Sequence, residues 1–507
     1  MTRIITAIFL SLLITAGAQA ETLMEIYEQA KRSDPAINEA EANMMAQMEA
    51  KPQARALLLP QLDASAGLDK TKSEGSSLQP ANVGGEFVFA NIDSERDVDG
   101  SNWSVDLDQT LFNVDQWRKL KKADKEVARA KADYDFAQQD LIIRVSEAYF
   151  DVLASQDQLA SERAAKDAIG RQLEQAERRF EVGLIAITDV KEAQAGFDDA
   201  IALEIAAQRA LATAKEALRE ITGEYPQVLA APADEFPLIP PEPQIEQDWV
   251  DVSLQQNLAL ESARIGADIT RSNVSIAKGG HYPTLGLFAS YGNNQQEGDT
   301  TVFNDGPLGD QTNQIDTDND SARVGIQFRL PIYSGGGVSS QVQEQVYLHR
   351  AARENFEKVA RQTERETRDA YLGVIAEIAR VQALARSEDS NQTALEATEA
   401  GYDVGTRTTV DVLNARQSLF LAQTQYSRSK YDYLINVLRL KRAAGTLRAV
   451  DVGEINSWLV VQETLPATPG RGATPDVEIQ PGTPTSGAML ELEEERKASE
   501  ADKDSVE

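Results

Sequence analysis

The amino-acid sequence predicts a mixed α and β protein, built twice over from one module. Its four short strands and its long helices all need neighbours beyond a single chain. Three observations carry this prediction. The first is an internal duplication: Phe180-Glu-Val-Gly183-Leu-Ile-Ala-Ile-Thr-Asp189-Val190 aligns with Tyr402-Asp-Val-Gly405-Thr-Arg-Thr-Thr-Val-Asp411-Val412. Each position in the second segment lies 222 residues after its counterpart, far longer than any solenoid unit. The second is the placement of proline, which is absent between Pro80 and Pro226 and again between Pro331 and Pro466. The third is a pair of alternating apolar and polar segments in each copy.

Taken in order, residues 1–20 read as a secretory signal, with Arg3 leading an apolar run and Ala18-Gln19-Ala20 forming a small-residue cleavage pattern. That run is too short to cross a bilayer as a helix. The first structural repeat is expected over 21–230, with strands near 62–71 and 101–112. The second is expected over 231–455, with strands near 284–293 and 322–333. Leu285, Leu287, Ala289 and Tyr291 alternate with mostly small or polar residues, as do Val324, Ile326 and Phe328. Such alternation suits a sheet with one greasy and one wet face. Lengths near ten residues match a tilted bilayer-spanning strand. The segments between, 73–100 and 294–320, are rich in Gly, Ser, Asn and Asp and read as loops. Asp316-Thr-Asp318-Asn-Asp320 imitates the start of a calcium loop, but Ser321 and Gln327 stand where that loop needs Gly and Glu. A solvated acidic loop is the simpler reading.

The proline-free stretches carry the long helices. Tyr134, Leu141, Val145, Ala148, Val152 and Leu159 form a heptad-like stripe, the mark of helices packed side by side. A proline-rich run over 226–248 links the copies. Residues 456–507 are expected to finish a mixed band and then run out as a disordered tail, its last part holding eleven acids against four bases.

Composition narrows the function. The 507 residues carry a net charge of −31, which disfavours binding to nucleic acid. There is no cysteine, and His281 and His349 are the only histidines. Thiolate nucleophiles, zinc ribbons and paired-histidine metal sites are excluded. Serine- or carboxylate-based hydrolysis has no constellation to support it, so the chain is expected to be no enzyme and to need no cofactor or metal. Four strands leave two edges that hydrocarbon does not tolerate, so several copies must pool strands. Three copies would give twelve, an even number in the normal range. A trimeric, non-inserting adhesive coiled coil is the alternative, though it has no use for the paired strands.

These residues carry a resemblance. Glu21-Thr-Leu-Met-Glu-Ile-Tyr27-Glu-Gln-Ala30, Leu58-Leu-Pro60-Gln61-Leu62, the two Val-Gly segments, Leu330-Pro331-Ile332-Tyr333 and Tyr433-Leu-Ile-Asn436 resemble the TolC family of outer-membrane exit ducts. The resemblance covers the chain to about residue 455. It implies a homotrimeric outer-membrane β-barrel, four strands per chain and twelve in total, continuous with a long periplasmic α-helical barrel. It also implies a mixed equatorial band near 225–255 and 445–465. The implied function is a passive exit path for drugs or secreted proteins. The implied partners are outer-membrane lipid, a periplasmic adaptor (membrane fusion) protein and an inner-membrane pump of the resistance-nodulation-division or ABC type.

Site residues follow from the same resemblance. The family's periplasmic gate links fall here on Thr188 and Asp189 in the first copy and on Tyr402 and Arg407 in the second. The pore constriction falls on Asp411 and on Asn414, where the family has a second aspartate. A trimer would then present three carboxylates instead of six, weakening its hold on multivalent cations. The adaptor-contacting helix tips fall on Gly183, Leu184, Gly405 and Thr406.

Overall fold

The computed structural model describes residues 20–83, 86–233, 236–303 and 310–460. The expected signal segment therefore lies outside the described residues, apart from Ala20, and so does the acidic tail from residue 461 onward. Within the described residues the two copies share the order of two strands, a long helix and a shorter helix, preceded by three helices in the first. The first runs α1 (Leu23–Ser33), α2 (Pro35–Met48), α3 (Ala50–Ala56), β1 (Gln61–Val83), β2 (Glu86–Phe112), α4 (Val114–Glu181) and α5 (Ile187–Thr222). After β3 (Ala231–Pro232) and α6 (Glu246–Gln256), the second runs α7 (Leu258–Ala277), β4 (Thr284–Phe303), β5 (Gln311–Arg329), α8 (Gly337–Asp403) and α9 (Thr409–Ala443). The chain then forms α10 (Ala449–Asn456) and β6 (Leu459–Val460). Helices α4 and α8 have 68 and 67 residues, so each is about 100 Å long at roughly 1.5 Å per residue. No described helix is apolar enough to cross a membrane.

Local chemistry sets the helix ends. The Asn113 side chain accepts from the backbone N–H groups of Asp115 and Gln116, starting α4 directly after β2. Along α4 the heptad-like stripe is buried at Leu141, Val145, Val152 and Leu159, with Tyr149 and Phe150 joining it. Leu159 apart, these side chains pack with Leu23 and Ile26 of α1, Tyr433, Leu434 and Leu438 of α9, and Ile455 of α10. Buried tyrosines tie down the connections. Tyr149 donates to the carbonyls of Ala230 (2.6 Å) and Glu21 (3.1 Å), and its duplicate Tyr371 donates to that of Gln244 (2.5 Å). The two segments of the expected mixed band meet here, with β3 paired to β6.

Strands β1, β2, β4 and β5 form one antiparallel sheet in that order, leaving β1 and β5 as edges. The strands run further than the sequence pattern indicated: β1 has 23 residues, β2 27, β4 20 and β5 19. Residues 73–100 and 294–320, expected as loops, mostly continue the ladder. The reason is that backbone pairing does not depend on apolar side chains. Polar residues carry both hairpins beyond the greasy zone, with Asp99 opposite Glu297 and Glu297 opposite Asp316. The calcium-loop imitation is therefore extended strand, where Asn293 donates to Asp318 (2.5 Å) and Asp320 (3.1 Å). At the other end β5 stops at Arg329, short of the expected residue 333, because Pro331 has no N–H to offer.

Register explains the two faces. Leu62, Leu107, Ala289 and Val324 form one row across the sheet, and Val105 pairs with Tyr291 beside it. Leu287 and Ile326 form the next row on this face. The opposite face carries Asp63, Asp106, Ser290 and Arg323 in a matching row. On the apolar face Val324 is 76% exposed and Leu62 69%. Trp103 and Tyr291 close the band with an edge-to-face ring pair 5.5 Å apart. Beyond them the same face turns acidic, and Lys70 bridges Asp97 (3.2 Å) and Asp99 (3.3 Å). From Leu285 to Tyr291 the greasy band spans about 20 Å of strand at roughly 3.4 Å per residue. Such a band, flanked by aromatics and then charge, has the dimensions of a lipid-facing belt.

Arginine on each face separates the two environments. Val324→Arg is expected to destabilise the protein in micelles or bilayers by about 2–4 kcal/mol, while Ser290→Arg on the wet face changes little. Denaturant unfolding of the two variants checks the difference.

Candidate functional site: the helix-hairpin tips

Each copy ends in a helical hairpin whose turn is dictated by one glycine. At the end of α4, Gly183 takes φ +76°; at the end of α8, Gly405 takes φ +79°. Both conformations are left-handed, where a Cβ is strained. Leu184 N–H reaches the Arg179 carbonyl (2.9 Å) and Gly183 N–H reaches that of Phe180 (2.8 Å). In the second copy Thr406 N–H bonds Gly401 (2.8 Å) and Gly405 N–H bonds Tyr402 (3.0 Å). This paired pattern is the Schellman turn, and it fixes both tips alike. The tips are exposed: Val182 is 70%, Leu184 73% and Val404 75% accessible.

The next helices are capped by the duplicated aspartates. Asp411 accepts from the Thr408 N–H and hydroxyl, both at 2.9 Å, while the Thr408 oxygen accepts from Asp411 N–H. In the first copy Asp189 accepts from Ala186 N–H (3.3 Å), but alanine cannot return the bond. Of the two tip helices, only α9 therefore has the full capping box. The Thr408 backbone N–H, then its hydroxyl, then nearby Arg407 hold the Asp411 carboxyl below the usual carboxylate range. A lowered carboxyl stabilises the turn at neutral pH and loses that effect as pH falls through its folded-state value.

The sequence-derived gate residues lie at these tips, but none of Thr188, Asp189, Tyr402 and Arg407 bonds another of the four within the chain. Thr188 is exposed, with no side-chain hydrogen bond to another described residue. Tyr402 accepts from the Thr409 hydroxyl (3.4 Å) and packs beside Leu395, Val412 and Leu419. Arg407 is exposed and folds back over Gly401, where a Cβ would meet its Cγ at 2.8 Å. Asn414 is exposed, three residues beyond Asp411 on the same helix face.

The structure adds residues to which the sequence reading gave no role. The Arg179 guanidinium carbon lies 4.7 Å from the centre of the Tyr402 ring. Gln172, buried in α4, donates to the Thr409 carbonyl (3.3 Å). Gly196 of α5 faces Leu413 of α9, and a Cβ there would sit 3.5 Å from a leucine methyl. Together these join the first hairpin to the second along a seam. Within the second hairpin, Arg416 donates twice to Glu399, at 3.1 and 2.6 Å. A signal for Arg179 was present in the sequence, since it stands directly before the duplicated Phe180 motif. No duplication pointed to its role, because its counterpart is Gly401.

Among the described residues no group of three or more acidic or histidine side chains is placed to hold a metal. What the tips offer is weak, reversible contacts between helix pairs.

Comparison with known proteins agrees with this geometry. The family model described as "Outer membrane efflux protein" matches residues 26–224 and 249–446, once in each copy. The outer membrane protein TolC of Vibrio cholerae is 36% identical over 451 residues, covering 88% of this chain and 96% of that one. TolC of Escherichia coli is also 36% identical, over 472 residues and 90% of each chain. The crystal structure of the Campylobacter jejuni CmeC outer membrane channel shares the fold, with a TM-score of 0.65 at 18% identity over 87% of this chain and 90% of that one. The chain belongs to the outer membrane efflux protein family of the TolC type: it is an outer-membrane channel-tunnel with a periplasmic helical domain and serves efflux or secretion.

Proposed function

We propose that three copies of this chain close their sheets into one twelve-stranded barrel and their long helices into one tube. The observation that carries this reading is the four-stranded sheet itself. Its edges β1 and β5 are unpaired, and its apolar face is exposed in the single chain. In hydrocarbon each unpaired backbone group costs several kcal/mol, so the edges must meet other copies. The wet face, with Asp63, Asp106 and Arg323, then lines a water-filled lumen.

At the far end of the helices the tips form a gate. Thr188, Asp189, Tyr402 and Arg407 link hairpins of neighbouring copies in the closed state, and a Tyr hydroxyl and an Arg fork both suit a carboxylate acceptor. Exposed links of this kind are worth about 1 kcal/mol each, weak enough for a docked complex to break as a set. Exposed Val182, Leu184 and Val404 beside Gly183, Gly405 and Thr406 give a periplasmic adaptor an apolar contact at the tips. The inner-membrane pump behind that adaptor, of the resistance-nodulation-division or ABC type, supplies the energy. Asp411 and Asn414 form the narrowest ring, with three carboxylates from three copies.

Single-channel recording of the purified protein in planar bilayers tests the gate. Wild type is expected to conduct weakly, and Tyr402→Phe combined with Arg407→Ser several-fold more. Equal conductance in the two would remove the gate assignment, and silence in both would remove the pore. The same recordings address the constriction. Asn414→Asp is expected to lower the concentration at which a divalent or trivalent cation blocks current by about tenfold, since a second carboxylate ring strengthens binding at the pore axis.

A further inference from the structure

We propose that Arg179 is a positioning residue of this gate, clamping the face of Tyr402 and so holding the two hairpins of one chain together in the closed state. The proposal rests on the gate reading above. Arg179 stands in the last turn of α4, and its carbonyl accepts the Schellman bond from Leu184. Its backbone is thus fixed by the turn that makes the tip. The guanidinium lies 4.7 Å from the Tyr402 ring centre, well inside the range of a cation–π contact. Among the described residues Arg179 has no ion-pair partner, whereas its neighbour Arg178 is paired with Glu174. Its charge is therefore committed to the ring rather than to a carboxylate.

The duplication makes this contact one-sided. The 222-residue offset sets Gly401 against Arg179 and Phe180 against Tyr402. No reciprocal clamp can form, because Gly401 has no side chain and the space above it holds Arg407. Each chain therefore has one clamp, in which the first copy supplies the cation and the second the ring. Tyr402 is held in two separable ways: its hydroxyl takes the Thr409 hydrogen bond, and its face takes Arg179. Of the two, only the Arg179 contact crosses between the hairpins, so release of the second hairpin requires that contact to yield.

That separation makes the test specific. Arg179→Gln, Arg179→Lys, Tyr402→Phe and Tyr402→Leu are compared by single-channel recording, singly and as Arg179→Gln paired with each Tyr402 variant. Survival of the slow-migrating unboiled form on a gel confirms assembly. Arg179→Gln is expected to raise open probability about two- to fivefold in the wild-type and Tyr402→Phe backgrounds, where the ring remains. It is expected to add nothing in the Tyr402→Leu background, and Arg179→Lys is expected to retain part of the closed state. An equal effect of Arg179→Gln in the Tyr402→Leu background would overturn the clamp, showing that Arg179 acts elsewhere. So would an absence of effect while Tyr402→Phe with Arg407→Ser opens the channel, which would leave the gate reading standing without Arg179. If no variant changes conduction, the gate reading falls and the clamp with it.

Discussion

An unpaired backbone amide has nowhere to go in hydrocarbon, and the rest of this structure depends on that constraint. One chain supplies four antiparallel strands, an apolar face and two open edges. In water such a sheet would be an aggregation hazard, since its edges would template further strands. In a membrane it is half-finished, and completion from outside the chain is the only remedy. The long helices obey a gentler form of the same rule. They bury a stripe near their middle, where α1, α6, α9 and α10 surround α4, but toward the tips their cores shrink to a few small clusters. Sheet and helices both look beyond the chain for their partners. The tip ends, being the least buried, are the natural place for motion.

The duplication builds this architecture economically but not symmetrically. Both copies keep what geometry demands: a glycine in the left-handed turn, an aspartate at the start of the next helix, and a tyrosine tying a helix to a linker carbonyl. They differ where side chains meet across the seam. Thr408 completes a capping box that Ala186 leaves half-made. Arg179 has no counterpart, because Gly401 makes room for Arg407. Backbone needs are shared by both copies and so are repeated. Contacts between copies join unlike partners, so selection can act on each side separately.

The same distinction explains what the sequence disclosed. The duplication, the long helices and the strand-bearing regions were legible because each has a period or an offset. Gly183 and Gly405 were placed at the tips through the family resemblance, and each takes the left-handed turn that ends its long helix. Strand length was not, since the polar continuations at Asp97–Asp99 and Asp316–Asp320 pair through the backbone and leave no hydrophobic alternation. At the site, Tyr402 and Arg407 were singled out through a family resemblance, and both lie beside the Gly405 turn. Arg179 and Gln172 escaped because their partners are hundreds of residues away in sequence, with no periodicity to connect them. The carboxylates at 189 and 411 were read as link and constriction groups. Their capping bonds, which are local and three residues long, were there to be read in Thr408-Thr-Val-Asp411.

The central claim is that β1 of one copy meets β5 of the next, three times, to close a ring. Because the chain contains no cysteine, engineered pairs report on this contact without background. A cysteine at Ala64 on β1 is combined with one stepped along β5 at Ala322, Val324 and Ile326, all on the same face. Oxidation in native membranes and a boiled denaturing gel then read the number of chains joined, since a disulfide forms only between Cβ atoms about 4 Å apart. The account predicts that at least one register yields a covalent species of three chain masses and nothing larger. Chains that stay single in every register, or a ladder that runs past three, would contradict it.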